Sequence, residues 1–292
     1  MNVLLLAVSI GLTASSGVPA VFARRDGKAG ERFAAFAMVV GSIAGLVASF
    51  LSGLLGIGGG LVLTPLLLYL PQLFGGAALP VKIVTGLTIV QAISGAMLGL
   101  WRHSSYGNVS RSIVLLMGPP SAVSALVGAV VSRGVEDRVL LLVFAGLAFA
   151  GAVMLLLPLR TEDQPASRLT VNQPLAVAIA VVLGFFGGLV GIGGVAFILA
   201  TLIYLLAVPV RIAIGTSLGI GMFAAVAALV GKAATAQIDP PLAAIVFVAA
   251  LVASPIGAAV SVRTQPRLLL LILAVVVALA AVRIATSALT GN

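Results

Sequence analysis

A glycine-rich motif that occurs twice between long apolar segments is the feature that most constrains this chain. The first copy, GLLGIGGG, covers residues 53–60, and the second, GLVGIGG, covers residues 188–194. The apolar sequence of residues 33–73, taken as one helix, would be about 60 Å long, twice the thickness of a bilayer core. Glycine adopts backbone conformations that other residues avoid, so we expect each motif to break a helix. Two such breaks predict a duplicated membrane protein.

The composition supports an integral membrane protein. Hydrophobic residues make up 61% of the 292 residues and charged residues 8%, whereas soluble domains average about a quarter charged residues. The fold class expected is an all-α, polytopic, multi-pass bundle in the lipid bilayer. The net charge of +9 comes from scattered lysines and arginines without a basic stripe, which does not indicate nucleic-acid binding.

The predicted domain organisation is two homologous repeats with an addition at the amino end. Residues 1–32 are expected to form an extra transmembrane helix over Met1–Phe22 and a basic cytoplasmic loop. Residues 33–158 form the first repeat, 159–173 a polar linker and 174–292 the second repeat. Within the repeats, the predicted helices after the glycine motifs cover residues 81–100, 111–131, 138–157, 195–206, 210–230, 241–262 and 268–288, and the second repeat opens on a helix over 174–190.

A constant offset supports the duplication. Residues 80–83, Pro-Val-Lys-Ile, match residues 209–212, Pro-Val-Arg-Ile, at an offset of 129. The glycine motifs match at an offset of 135, so the first repeat carries six extra residues between its glycine motif and its Pro-Val-Lys-Ile segment. We expect the second repeat to be inverted, because broken helices at a repeat interface usually accompany that arrangement. A parallel arrangement stays open, since it depends on how often each glycine motif crosses the membrane.

The glycine breaks are the candidate substrate site. A helix that restarts after a break presents unpaired N–H groups and a partial positive charge, and both favour an anion. Lys82 and Arg211, which match in the repeat and begin helices, would add positive charge. The alternative is that the glycines permit close helix packing and that the two basic residues reach the membrane surface. The predicted substrate-binding residues are Gly56, Gly58, Gly59, Gly60, Thr64, Lys82, Thr85, Gly86, Gln91, Gly191, Gly193, Gly194, Arg211, Gly215, Thr216 and Ser217.

Other kinds of site are disfavoured. All seven acids are predicted in loops, with Asp239 near a helix end, which argues against a cation pathway inside the membrane. The only histidine, His103, is predicted in a connector, and cysteine is absent. We therefore expect no enzyme, no catalytic residues, no metal and no cofactor.

The two motifs with their following segments, GLLGIGGGLVLTPLLL with LPVKIVTGLT and GLVGIGGVAFIL with VPVRIAIGTSL, resemble the sulfite exporter TauE/SafE family. The resemblance covers about residues 33–288. It implies duplicated halves, a bacterial inner (plasma) membrane location and transport of sulfite, organosulfonates or related anions. Val195 replaces the third glycine of the motif in the second copy, and Thr85-Gly86-Leu87-Thr88 departs from the Gly-Thr-Ser-Leu pattern in the first. We therefore expect unequal half-sites.

The function expected is secondary transport, as exporter or importer, of a small sulfur-containing or carboxylate anion by alternating access between the glycine-rich helix ends. Two alternatives remain open at this stage. One is a passive anion channel of the same architecture, and the other is a non-transporting membrane subunit. The sequence does not distinguish H⁺ from Na⁺ as a coupling ion, and a homodimer is left open.

Overall fold

The computed structural model describes residues 28–55, 60–73, 79–155, 171–192 and 195–261, and beyond these only scattered positions between 264 and 286. The described part of the chain contains nine numbered α-helices and a short 3-10 turn at Ser132–Gly134, and no strand. The helices are α1 Lys28–Leu55, α2 Gly60–Leu73, α3 Val81–Ser105, α4 Arg111–Val131, α5 Asp137–Leu155, α6 Gln173–Val190, α7 Val195–Tyr204, α8 Val210–Ala234 and α9 Pro240–Ser261.

The helices have the length and composition of membrane spans. Five of the described helices, α3, α4, α6, α8 and α9, are long and apolar enough to cross a bilayer, and two apolar segments, Met38–Leu54 and Gly60–Gln72, are shorter. This confirms the all-α membrane fold. The predicted helix over Met1–Phe22 lies outside the described residues. So does most of the polar linker, and the last predicted helix is described only at single positions.

The second glycine motif interrupts a helix, as expected, because α6 ends at Val190 and α7 begins at Val195. At the first motif α1 is described to Leu55 and α2 from Gly60, and the residues between lie outside the described part of the chain. At the second break Gly191 has a φ of 87°, the left-handed conformation that often ends a helix at a glycine. At the second motif the helix therefore ends where the sequence concentrates its glycines.

Two predicted helices were too short. Helix α3 continues to Ser105 rather than ending at Leu100, and α8 continues to Ala234 rather than ending at Val230. The prediction ended each helix where polar residues begin. In the structure the turns that follow these helices come later than the first polar residues. Gly107 has a left-handed φ of 70° after α3, and Ala236 has one of 56° after α8. His103 therefore lies in the last turn of α3 and not in a connector.

Long helix pairs connect the two halves of the chain. Helix α4 packs along α6, and α9 packs along α1. Glycine lets each pair approach closely, because a Cβ atom on Gly128 of α4 would meet the Phe185 carbonyl and one on Gly257 of α9 would meet the Phe50 carbonyl. The two glycines are separated by the repeat offset of 129 and the two phenylalanines by 135. Corresponding helices of the halves therefore make corresponding contacts, and the inverted orientation stays a prediction.

Helices α3 and α8 are the most deeply buried of the five spans. They pack against each other, and α4 and α9 cover them on either side. Both begin directly after a proline, Pro80 and Pro209, whose fixed φ suits a helix start. These two central helices carry most of the polar side chains of the candidate site.

Candidate functional site

The two glycine motifs meet inside the protein. A Cβ atom on Gly60, the last glycine of the first motif, would lie 3.1 Å from Ile192 Cα in the second motif. Both residues are buried. Gly56, Gly58, Gly59, Gly193 and Gly194 lie outside the described residues. The ends that are described nevertheless bring together segments separated by more than 130 residues of sequence.

Gly191 fixes the second motif against α3. Its amide donates a hydrogen bond to Gly187 O at 2.9 Å, and its carbonyl accepts one from Thr88 Oγ1 at 2.7 Å. A Cβ atom here would collide with the Thr85 backbone. Position 191 therefore requires glycine for two reasons, its left-handed φ and the close approach of helix α3.

A buried lysine that the sequence analysis missed lies beside this contact. Lys232, in the last turn of α8, is fully buried. Its ammonium donates to Ser132 Oγ at 2.6 Å, Gln237 Oε1 at 2.8 Å, Thr85 Oγ1 at 3.0 Å and Leu189 O at 3.3 Å. We call Lys232 and these four partners the lysine cluster. Leu189 lies two residues before Gly191, so the cluster adjoins the second glycine motif.

The turn after α8 completes the lysine cluster. Ala236 has a left-handed φ of 56°, and this turn brings Gln237 back toward α3 and α4. Gln237 Nε2 donates to Thr235 Oγ1 at 2.7 Å and to Ala129 O at 3.3 Å, which directs its oxygen toward Lys232. Gly86 packs against the Gln237 carbonyl, where a Cβ atom would collide. Thr85 and Gly86, both predicted site residues, therefore belong to or adjoin this cluster.

The corresponding place in the other half has a different charge. Gly215, which matches Gly86, packs against the Asn108 carbonyl, and Asn108 matches Gln237 at the same offset of 129. At that offset Lys232 matches His103, whose buried Nδ1 has no hydrogen-bond partner. The two halves therefore build similar backbone contacts around a lysine in one case and a histidine in the other.

The remaining predicted residues lie in separate places. Thr64 Oγ1 bonds back to Gly60 O at 2.8 Å, and Gln91 Nε2 donates to Ser49 Oγ of α1 at 3.2 Å. Thr216 Oγ1 accepts from Ser110 N at 3.0 Å, and Ser217 Oγ donates to Ile214 O at 2.9 Å. These hydroxyls and this amide are engaged in contacts within or between helices, so the structure does not bring them to one point.

The two predicted basic residues differ in environment. Lys82 is partly buried, and its amine donates to Arg133 O at 2.8 Å. Its carbonyl accepts from Thr85 Oγ1 at 2.8 Å, which links it to the lysine cluster. Arg211, its match in the repeat, is exposed. Positive charge is therefore concentrated on the Lys82 side.

Asp239 lies directly before α9, two residues after Gln237. Asp239 is buried; its Oδ1 accepts from Leu242 N at 3.2 Å, and its Oδ2 has no hydrogen-bond partner. Burial raises the pKa of the Asp239 carboxyl, and the Leu242 hydrogen bond opposes this in part. No group of three His, Cys, Asp or Glu side chains that could hold a metal ion occurs among the described residues.

Asp239 should make the stability of the protein depend on pH. An acid whose pKa is higher in the folded chain holds its proton more tightly when folded, so stability falls as pH rises from about 4, the unfolded value, through the folded pKa. Asp239→Asn keeps the capping oxygen and removes the titration. We expect the melting temperature of the wild-type protein to fall more steeply over this range than that of Asp239→Asn. Parallel curves would contradict this assignment.

Comparison with known proteins agrees with this architecture. A family model described as Sulfite exporter TauE/SafE matches residues 41–284. The chain belongs to this family. The TauE/SafE match begins inside α1, extends beyond α9 and covers both glycine motifs and all the residues of the lysine cluster.

Several relatives of this TauE/SafE family member are named as probable membrane transporter proteins. It is 24% identical to the probable membrane transporter protein YunE of Bacillus subtilis over 258 residues, which cover 81% of this chain and 93% of the relative. It is 28% identical to a probable membrane transporter protein of Haemophilus influenzae over 192 residues, 65% of this chain and 70% of the relative. A Xylella fastidiosa relative with the same description is 31% identical over 63% of this chain and 70% of its own. No solved structure matches the chain.

Proposed function

We propose that the protein is a secondary transporter of small anions such as sulfite, sulfonates or related carboxylates. The observation that carries the proposal is the contact of the two glycine motifs, Gly60 against Ile192, inside a helical membrane protein of this family. Broken helices near the middle of a bundle are where secondary transporters bind their substrates. The anion would bind where the two motifs meet.

The short helices that follow the glycine motifs support an anionic substrate. Helix α2 begins at Gly60 and α7 at Val195, and both positions are buried. The first turn of a helix carries unpaired N–H groups and about half a positive charge. In a membrane such groups must be covered by protein, water or ligand. An oxyanion between the two motifs would accept hydrogen bonds from these amides.

The basic residues near the second glycine motif also support an anionic substrate. Lys232 and Lys82 lie on the side of the second glycine motif, and the described acids make no ion pair with either of them. Neutral oxygens hold these amines in place without cancelling a positive charge, and positive charge near a site favours an anion. An anion bound between the glycine motifs would be attracted to this side.

Lys82 and Arg211 should contribute unequally to anion binding. Lys82→Gln removes a charge beside the lysine cluster, and we expect anion affinity to fall about tenfold, which corresponds to about 1.4 kcal/mol. Arg211→Gln removes an exposed charge and should change the affinity less than about threefold, because water screens it. Both affinities can be read from the concentration dependence of anion-induced thermal stabilisation. Equal losses in the two variants would contradict a role specific to Lys82.

Thermal stabilisation by a panel of anions tests the proposed function. The purified protein would be melted with sulfite, sulfate, thiosulfate, taurine, sulfoacetate, acetate and a neutral solute. A ligand that binds the folded state alone raises the melting temperature with its concentration. We expect one class of sulfur anions to give a saturating rise and the neutral solute none. No rise with any anion, in protein shown to be folded, would contradict the proposal.

A further inference from the structure

We propose that Lys232 is a tethered cation, a side chain that occupies an oxygen-lined place of the kind where other transporters bind a free sodium ion. The proposal concerns how the protein balances charge next to the second glycine motif. It has two parts. The first part, that Lys232 fills a cation-binding site, does not depend on transport. The second part, that its charge affects a bound anion, rests on the proposed function.

The ligands of Lys232 are the first argument. Four oxygen atoms surround its Nζ: two hydroxyls, a side-chain amide oxygen and a backbone carbonyl, at 2.6 to 3.3 Å. They come from helices α3 and α6 and from the turns after α4 and α8. Neutral carbonyl and hydroxyl oxygens are hard ligands and suit hard cations. Sodium sites in transporters use the same kind of groups, backbone carbonyls at interrupted helices.

The other hydrogen bonds of these oxygens leave lone pairs for the amine. Thr85 Oγ1 donates to Lys82 O at 2.8 Å, and Ser132 Oγ has two acceptors within reach, Ala129 O at 2.6 Å and Gln237 Oε1 at 3.1 Å. Gln237 directs its amide nitrogen elsewhere, and a backbone carbonyl can only accept. Every partner of Nζ therefore accepts. An ammonium offers three protons to these four oxygens, one more than a neutral amine, whose lone pair would have no donor among them.

Helix ends supply the negative potential that a carboxylate would otherwise provide. Ser132 directly follows the last residue of α4, and Leu189 is the last residue but one of α6. The carboxyl end of a helix carries about half a negative charge and stabilises a cation. Two such ends converge on Lys232, which itself lies in the last turn of α8. An ammonium can therefore be held here without an acid.

The site is specific to one half of the protein. At the repeat offset of 129 the matching residue is His103, and the match of Gln237 is Asn108. Lys82 lies on the same side, and its side chain is also basic. The second glycine motif therefore lies beside two amines that make no ion pair with a described acid. This arrangement predicts that no sodium ion binds here in the wild-type protein.

The consequence for transport is that the cation is built into the chain. A transporter that uses a sodium ion at such a place would stabilise its anionic substrate only when the ion is bound. Here the charge is present without an ion, so anion binding should be insensitive to replacement of sodium by an inert cation. A merely structural tie would make no prediction about which cations can replace the side chain.

The test uses Lys232→Ala in the full-length protein. This substitution leaves the oxygen ligands and opens a place for a small cation. In N-methylglucamine buffer, whose cation is too large to enter, the melting temperature should fall by on the order of 10 °C relative to the wild-type protein. Ethylammonium or sodium should restore a large part of this loss with saturating concentration dependence. Lys232→Met, which fills the space with an apolar side chain, should be destabilised and should not respond to these cations.

Controls separate this proposal from non-specific salt effects. The wild-type protein should melt at the same temperature in sodium and in N-methylglucamine. Lys82→Ala removes an exposed amine at the start of α3. This variant should show no recovery with ethylammonium. A saturating sodium stabilisation of the wild-type protein would overturn the proposal, whether or not Lys232→Ala can be purified. Failure of every small cation to stabilise folded Lys232→Ala would overturn it as well.

The outcomes also distinguish this proposal from the proposed function. If cations restore Lys232→Ala but no anion stabilises the wild-type protein, the tethered cation stands and anion transport does not. If anions stabilise the wild-type protein and cations do not restore the variant, the transport proposal stands and Lys232 is a structural tie alone.

Discussion

Replacing Gly60 with leucine should abolish anion transport while the protein still folds and inserts into the membrane. A Cβ atom at Gly60 would lie 3.1 Å from the Cα and 3.1 Å from the Cγ2 of Ile192. A leucine side chain needs more room and would force the two glycine motifs apart. Misplacement by about 1 Å at a binding site is enough for losses on the order of a hundredfold. The measurement is uptake of a labelled anion by proteoliposomes.

Gly146→Leu is the matched control for Gly60→Leu. Gly146 is also a glycine within a helix, but it is exposed and a Cβ atom there meets nothing within 4 Å. We expect this variant to transport at nearly the wild-type rate. Normal transport by folded Gly60→Leu would place the substrate away from the contact of the two motifs. Loss of transport in both variants would indicate general damage to the bundle.

Replacing Gly191 with alanine should strongly destabilise the protein. Its φ of 87° is a left-handed conformation, which costs a residue with a Cβ atom about 1–2 kcal/mol. The new methyl group would also collide with the Thr85 backbone, and forced overpacking costs typically about 1–3 kcal/mol. We expect a total loss of roughly 2–5 kcal/mol, measured by denaturation in detergent. The Thr88 hydrogen bond to the Gly191 carbonyl should weaken with it.

Gly107 provides a control that separates the two causes. Its φ of 70° is also left-handed, but a Cβ atom there meets nothing within 4 Å. Gly107→Ala should therefore show the conformational cost alone, about 1–2 kcal/mol. The difference between the two variants measures the close approach of α3 to the second glycine motif. Equal losses would mean that the backbone of α3 moves away freely and that this contact is loose.

The sequence predicted the break at the second motif because its cause is local. Its glycines stand in apolar sequence, and Gly191 takes the left-handed conformation that ends α6. The same analysis also proposed close helix packing as an alternative for glycines. The structure shows this for Gly128 and Gly257, which lie against carbonyls of neighbouring helices. Glycines of both kinds therefore occur in one chain, and neighbours distant in sequence decide which is which.

The lysine cluster could not be predicted in the same way. The helix predicted over residues 210–230 ends before Lys232, so the sequence analysis gives this residue no role. Its contacts to Thr85 and Ser132 span 147 and 100 residues of sequence, so no local pattern contains them. One signal was present: the offset that matches Lys82 with Arg211 also matches Lys232 with His103. That match marks both positions as parts of the repeat, although it gives no sign of the partners of Lys232.

The exposure of Arg211 shows a second limit. Equivalent positions in a duplicated chain suggest equivalent roles, and Lys82 and Arg211 were therefore assigned together. Only Lys82 touches the turn after α4 and, through Thr85, the lysine cluster. Burial depends on what packs against a position, and the two halves differ there. The expectation of unequal half-sites rested on other residues, and it stays a prediction for the binding of substrate.

Counterflow in proteoliposomes tests the central claim, that this protein carries a small anion, most directly. Vesicles would be loaded with a high concentration of the unlabelled anion that best stabilises the protein and diluted into a trace of the same anion carrying a label. A carrier exchanges one for the other, so we predict a transient accumulation of label above its equilibrium level in vesicles containing the wild-type protein and none with Gly60→Leu. Label that enters without this overshoot would identify a channel, and no protein-dependent entry of any anion would contradict the account.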